Sequence, residues 1–268
     1  RWVSARQNRG RERSLVRPDV SPSGARWAVH VSIAVAALVL VVVGVIPWAA
    51  DHVAHEAYET TANGTLLPPA KALADLRRAE RLNPLESTYP SLIAAGESQE
   101  AQNSLDPIQA TNLLAQAVSS LKQALRLLPN DVLFMASVAE NYTAWAKYNH
   151  VLYPRAQQWW TRTIALDPTD YQMHLNYAQT LADWAGVGNA RARATEVQQL
   201  QLVATMRPGD ASVWMHLAGA EQGAGNVAAE RHALEEALKD NPSEAGATTL
   251  LAAATASPTA VLGPPSPP

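Results

Sequence analysis

Five short segments of this chain end in the same way, and this recurrence constrains the fold more than any other feature. They read ALADLRRAERLNP, AVSSLKQALRLLP, AQQWWTRTIALDP, EVQQLQLVATMRP and ERHALEEALKDNP, and they end at Pro84, Pro129, Pro168, Pro208 and Pro242. The intervals between these prolines are 45, 39, 40 and 34 residues. A period in this range indicates a repeated helical unit, and a repeat decides the fold of everything built from it. No strand pattern accompanies it, so the sequence predicts an all-α protein.

Three positions counted back from each proline share a residue type. Eight residues earlier the side chain is always large and apolar: Leu76, Leu121, Trp160, Leu200 and Leu234. Five residues earlier it is usually small: Ala79, Ala124, Thr163, Val203 and Ala237. Twelve residues earlier stand Ala72, Ala117 and Ala156, followed by Glu196 and Glu230. Small residues let two helices approach closely, a large residue fills the groove between them, and the proline ends the second helix.

A helix–turn–helix unit of roughly 34 residues with this pattern resembles the tetratricopeptide repeat (TPR) family. The last unit matches best, with its N-cap, packing and turn positions at Asp210, Trp214, Leu217, Ala218, Gly223 and Gly225. The resemblance covers roughly Ala54 to Ala256. It implies a TPR-like right-handed α-solenoid of about five helical hairpins, in a repeat domain over residues 51–256. Such repeats usually bind partners and do not transform them.

A membrane span precedes the repeats. Residues 27–50 read WAVHVSIAVAALVLVVVGVIPWAA and contain no formal charge. A helix of that length extends about 36 Å, which exceeds the bilayer core of about 30 Å. A buried core helix and a cleaved signal peptide are the alternatives, but both have shorter apolar runs as a rule. Trp27 and Trp48 stand at the two ends, where interfacial aromatic residues belong.

The charges around the span predict its orientation. Residues 1–26 carry seven arginines against Glu12 and Asp19, whereas the whole chain has a net charge of −3. The positive-inside rule therefore places this basic arm in the cytoplasm, near anionic lipid, and the repeats outside. Arginine outnumbers lysine by 17 to 4, which is typical of a high-GC bacterium, so the expected location is the bacterial inner membrane. The last segment, residues 257–268, is proline-rich and expected to be disordered.

Motifs for catalysis, cofactors and nucleic acid are missing from the sequence. It contains no phosphate-binding glycine loop, no nucleophile elbow and no cysteine. The basic arm lies directly beside the span, which favours a role in setting the membrane orientation over binding of nucleic acid. We therefore predict no nucleic-acid partner. His52, His55 and Glu56 lie at neighbouring helical positions and are the one metal candidate. Their spacing is loose against known zinc motifs, which favours a polar turn beside the membrane and no metal or cofactor.

An aromatic cluster falls mostly in one repeat: Tyr142, Trp145, Tyr148, Tyr153, Trp159 and Trp160, with Trp184 in the next. Aromatic faces stack on sugars and prolines, but most of these residues occupy packing positions. Trp159, Tyr148 and Tyr153 border a loop, so they are the aromatic ligand candidates.

The repeat register also predicts which positions line the concave surface. They are Ser91, Ala95, Ser98 and Gln99; Leu133, Ala136, Glu140 and Thr143; Gln172, Leu175, Gln179 and Asp183; and Ser212, Met215, Gly219 and Gln222. Gln172, Gln179 and Asp183 are the polar ligand candidates. This surface is neutral to slightly acidic and lacks the basic cluster that clamps a carboxylate or phosphate. It suits a neutral glycan or an extended peptide backbone, and a solvated surface without any ligand is the alternative.

A narrower resemblance follows from the order of parts. A basic arm, a span and AERLNPLESTYPSL within Asp51 to Ala94 are similar to the C-terminal end of bacterial O-antigen ligase and polymerase-like membrane proteins. The chain begins with Arg1, which predicts a piece of a longer product or an incomplete reading frame. The resemblance implies a non-catalytic, extracytoplasmic domain that binds glycan or protein, with catalytic residues in earlier spans. A free-standing single-span scaffold and an enzyme using His52 and His55 are the two alternatives.

Overall fold

The computed structural model describes residues 22–62, 70–244 and 246–256, and this part of the chain is helical, without a strand. The basic arm through residue 21 and the proline-rich tail over residues 257–268 lie outside the described residues. The chain divides into two compact units, Arg1–Ala49 and Ala50–Pro268.

The apolar helical stretch begins in the first unit and ends in the second. α1 spans Pro22–Leu40, a π-helical turn covers Val41–Val45, and α2 spans Ile46–Ala62. Side chains from His30 to Val45 are exposed. One described stretch, His30–His55, is long and apolar enough to cross a bilayer by length and composition. It overlaps the predicted span over residues 27–50, and the crossing itself stays a prediction.

The second unit is a series of helical hairpins. Its helices are α3 (Ala70–Leu82), α4 (Thr88–Asn103), α5 (Pro107–Leu127), α6 (Val132–Ala146), α7 (Tyr153–Leu166), α8 (Tyr171–Gly186), α9 (Ala190–Met206), α10 (Ala211–Ala224), α11 (Val227–Asp240) and α12 (Ala247–Ala256). The pairs α4/α5, α6/α7, α8/α9 and α10/α11 form complete hairpins, and α12 packs on α11. Ala50 and Ala54 of α2 share a core with Leu76 of α3, which begins the series. The predicted TPR-like α-solenoid of about five hairpins is confirmed.

The helix ends follow from local chemistry. Each repeat proline stands two residues beyond the end of the second helix of its hairpin. The cap predicted at Asp210 is confirmed, because its side chain accepts the Ser212 N–H at 3.1 Å. Asp106 caps α5 in the same way and accepts the Ile108 N–H at 2.9 Å. Gly225 ends α10 with φ at 77°, a left-handed conformation that favours glycine.

Two further caps repeat the Asp210 arrangement. Asp131 accepts the Phe134 N–H at 2.9 Å, and Asp170 accepts the Gln172 N–H at 2.8 Å. Both aspartates stand two residues after a repeat proline. The spacing between proline and aspartate therefore marks where one hairpin ends and the next begins.

The three repeat positions form the core. The five large residues eight places before the proline are at most 3% exposed, and the five small residues five places before it are fully buried. All five residues twelve places before it are buried as well, including Glu196 and Glu230 at 4% and 5% exposure. In every hairpin, the recurring pattern therefore indicates which residues are buried.

Side-chain hydrogen bonds join successive hairpins in a repeated way. Residues seven places before the proline donate to a residue twenty positions later: Arg77 to Glu97 at 2.8 Å, Lys122 to Tyr142 at 2.8 Å and Gln201 to Glu221 at 3.1 Å. Between α7 and α8, the Trp160 Nε1–H donates to Thr180 Oγ1 at 2.8 Å. These bonds satisfy polar groups at the interfaces between hairpins and fix their register.

Candidate functional site

The first helices of the four complete hairpins line a row of three cavities. The first cavity, of about 390 Å³, lies between α4 and α6. The middle cavity, of about 250 Å³, lies between α6 and α8. The third cavity, of about 430 Å³, lies between α8 and α10. We call the surface formed by α4, α6, α8 and α10 around these cavities the inner groove.

The first cavity is mainly apolar. Leu114 and Leu121 of α5 are buried at its floor. Leu133 of α6 also lines it and is 70% exposed, so its side chain is available to a ligand. On its polar side, Ser98 Oγ donates to Asn141 Oδ1 at 2.6 Å. This cavity can therefore accept an apolar side chain next to hydrogen-bonding groups.

Most of the residues that line the middle cavity have polar or charged side chains. Asn176 Nδ2 donates to Glu140 Oε1 at 3.1 Å, and Lys147 Nζ lies 3.3 Å from Asp183 Oδ2. Desolvation raises the pKa of Glu140, and the hydrogen bond from Asn176 only partly opposes this effect. The cavity thus offers a carboxylate and a side-chain amide to a ligand.

The third cavity combines apolar and small residues with one buried carboxylate. Leu175 and Met215 line it together with Gly219 of α10. Glu196 also lines it and pairs with Arg193 at 2.6 Å. Burial raises the pKa of Glu196, and Arg193 opposes this without cancelling it. A Cβ atom added at Gly219 would meet no atom within 4 Å, so this position leaves the groove open.

Two of the three polar candidates from the sequence lie in the inner groove. Gln179 lines the middle and third cavities, and Asp183 lines the middle one. Their side chains also contact each other, because Gln179 Nε2 donates to Asp183 Oδ1 at 3.3 Å. Gln172 instead donates to Asn176 at 2.9 Å and lines none of the three cavities.

The three aromatic candidates line none of these cavities. Tyr153 is only 2% exposed and stacks on Trp184 with ring centroids 5.9 Å apart. Tyr153 does border a loop, since it begins α7, but Trp184 of the next hairpin covers its ring and leaves little of it for a ligand. Trp159 is half-buried against two core clusters, and Tyr148 is 48% exposed.

Of the three metal candidates from the sequence, His52 and His55 line none of the groove cavities. His52 and His55 are exposed on α2, and the Glu56 side chain lies outside the described residues. In the described part of the chain, no group of three or more histidine, aspartate or glutamate residues is arranged to hold a metal ion.

One groove position in each first helix was missed in the sequence. It lines a cavity in all four complete hairpins, where it is occupied by Leu92, Ser137, Asn176 and His216. Each of these precedes a buried packing residue, namely Ile93, Val138, Tyr177 or Leu217. This position could have been found in the sequence as the residue directly before a buried packing residue, because the neighbour of a buried residue on a helix points to the adjoining face.

Comparison with solved structures shows the fold. The chain is similar to a MamA protein, with a TM-score of 0.52 and 14% identity over 74% of this chain and 93% of that one. It is also similar to YrrB, described as a TPR protein with an unusual peptide-binding site (TM-score 0.49, 15% identity, 74% and 89% covered). A third is TTC0263, a TPR protein of Thermus thermophilus (TM-score 0.47, 15% identity, 77% and 98% covered). No family profile matches the sequence, and no curated protein matches it significantly.

Proposed function

We propose that this chain is a scaffold whose inner groove binds an extended segment of a partner protein. The observation that carries the proposal is the row of three cavities along α4, α6, α8 and α10. Packed helices lie roughly 10 Å apart, and an extended chain in the polyproline II conformation advances about 3.1 Å per residue with three residues per turn. Every third residue of an extended segment can therefore place its side chain in a successive cavity.

The groove chemistry favours a protein over a glycan. An extended peptide exposes backbone N–H and C=O groups, which side-chain amides such as Asn176 and Gln179 can pair with. The apolar lining from Leu114, Leu121 and Leu133 suits amino-acid side chains. The predicted sugar-stacking residues line none of the cavities, so a glycan has less support.

Selection from a random peptide library on the full chain in nanodiscs tests this proposal. We expect enriched peptides to bind the wild type and to lose binding to Gly219→Trp, because the indole fills the third cavity. Gly209→Trp is the matched control, since Gly209 also has no atom within 4 Å of an added Cβ and lines none of the three cavities. Enriched peptides that bind both variants equally would contradict binding in the groove.

We also propose that the apolar helix anchors the chain in the bacterial inner membrane, with the repeats outside. The length and composition of His30–His55 and the seven arginines before it support this proposal. Because the chain has no cysteine, a single cysteine reports one position. A membrane-impermeant maleimide on intact cells should label Glu235→Cys and leave Ser14→Cys unlabelled. The reverse labelling would contradict this orientation.

A finer proposal assigns the repeats to the non-catalytic end of an O-antigen ligase or polymerase-like membrane protein. The order of basic arm, span and repeats supports it, and a free-standing scaffold that recruits cell-envelope complexes is the alternative. An immunoblot of native membranes with an antibody against the repeats separates the two. A product far larger than 28.8 kDa supports the ligase-like parent, and one of that mass supports the free scaffold.

A further inference from the structure

The charges in the inner groove are mostly neutralised by the chain itself. The Asp, Glu, Lys and Arg residues that line its three cavities are Glu140, Lys147, Asp183 and Glu196. Lys147 pairs with Asp183, and Glu196 pairs with Arg193 outside the cavities. Among the described residues, no lysine, arginine or histidine forms an ion pair with Glu140. Its carboxylate accepts one hydrogen bond, from neutral Asn176.

The position of Glu140 makes this charge available to a ligand. Its side chain is exposed, and it lines both the first and the middle cavity. Desolvation by the surrounding groove raises the pKa of Glu140, so this carboxylate gains more from a cationic partner than a fully hydrated one.

An apolar site lies next to this carboxylate. Leu133 precedes Glu140 by seven residues on α6, which places both on the same face of the helix, about two turns apart. The first cavity is lined by both residues and has the buried Leu114 and Leu121 at its floor. Two helical turns are about 10.5 Å, a distance that a chain in the polyproline II conformation covers in about three residues while keeping both side chains on the same side.

We infer that the segment bound by the inner groove carries a lysine or arginine that pairs with Glu140 and, about three residues away, an apolar side chain that fills the first cavity. The inference rests on the proposed function, because it names the chemistry of the partner for the same groove. Acidic and phosphorylated segments are disfavoured, since their charge would meet the unpaired carboxylate.

Library selection on three forms of the full chain in nanodiscs tests the inference. We expect the wild type to enrich peptides with a lysine or arginine near a large apolar residue. Glu140→Gln should retain the apolar preference and lose the basic one, and Glu140→Arg should prefer aspartate or glutamate. Glu235→Gln is the matched control, because Glu235 is exposed on α11 and lines none of the three cavities.

Affinity measurements with the most enriched basic peptide complete the test. Glu140→Gln should weaken its binding about ten- to a hundredfold, the range for losing a hydrogen-bonded charge partner. The inference would be overturned by peptides that lose binding to Gly219→Trp but bind Glu140→Gln as tightly as they bind the wild type. That result would leave the proposed function standing. If no enriched peptide loses binding to Gly219→Trp, the proposed function and the inference both fail.

Discussion

The first three hairpins and the last two solve the same packing problem with different residues. Twelve places before the repeat proline, the first three have Ala72, Ala117 and Ala156, and the last two have Glu196 and Glu230. All five positions are buried. Alanine needs no polar partner, whereas Glu196 pairs with Arg193 at 2.6 Å and Glu230 accepts from Gln222 at 2.9 Å. The repeat position therefore determines burial, and local partners determine which side chain is tolerated.

The largest expected loss of stability comes from placing the glutamate of the last two hairpins at the alanine position of an earlier one. Ala156→Glu buries a carboxylate at a fully buried position without the arginine or glutamine that serves the last hairpins. We expect it to lower the free energy of unfolding by about 3 kcal/mol or more, because an unpaired buried charge adds to overpacking. Chemical denaturation measures this loss.

The control for that substitution is Gln158→Glu, which places the same charge at an exposed site of α7. It should change the free energy of unfolding by no more than about 0.5 kcal/mol. Equal stability of Ala156→Glu and the wild type would show that a carboxylate at this position needs no built-in partner.

Eight places before the proline, both groups of hairpins have a large, buried apolar residue. Truncating this residue should therefore lower the free energy of unfolding in either group. Trp160→Ala and Leu234→Ala remove side chains at most 1% exposed and should each cost about 2–5 kcal/mol. The tryptophan variant should be the worse one, because it also leaves Thr180 without the Nε1–H donor. Thermal and chemical unfolding of the two variants check this order, and a small loss in either hairpin would contradict a continuous core.

Glu196→Gln tests how the last hairpins tolerate their carboxylates. Burial raises the pKa of Glu196 above its ordinary value of 4.5, so the folded chain retains this proton better than the unfolded chain. The resulting stabilisation is complete below the unfolded pKa and is lost as the pH rises through the folded pKa. The glutamine variant has no carboxyl group at this position, so its stability does not fall in this way as the pH rises. Its free energy of unfolding should therefore rise relative to the wild type as the pH increases above 4.5.

Denaturation curves from about pH 4 upward measure this difference across the titration of the carboxyl group, with Glu235→Gln as an exposed control. At neutral pH we expect the variant to lie within about 1 kcal/mol of the wild type, since losing the charge of the Arg193 pair offsets relief of desolvation. A difference that falls with increasing pH would contradict the raised pKa.

The smallest effect on stability is expected in the inner groove. Leu133→Ser alters a side chain that is 70% exposed, so the free energy of unfolding should change by no more than about 0.5 kcal/mol. Binding of enriched peptides should nevertheless fall, because the serine removes apolar contact at the first cavity. A large loss of stability in thermal unfolding would assign Leu133 to the core.

The sequence predicted the helical hairpins, their ends and their core because those features depend on spacing within one repeat. It located the groove only in part, because exposure also depends on the neighbouring hairpin. Tyr153 borders a loop in the sequence, but Trp184 of the next hairpin covers it. Asn176 carries no motif, and only its place before buried Tyr177 and its bond to Glu140 reveal it as a groove residue.

Single-cysteine protection tests the central claim most directly, because the chain contains no cysteine of its own. Gly219→Cys places a thiol in the third cavity, and Glu235→Cys places one on exposed α11. With a saturating enriched peptide, we predict slower maleimide alkylation at position 219 and an unchanged rate at position 235. Equal rates with and without peptide at position 219 would contradict binding in the inner groove.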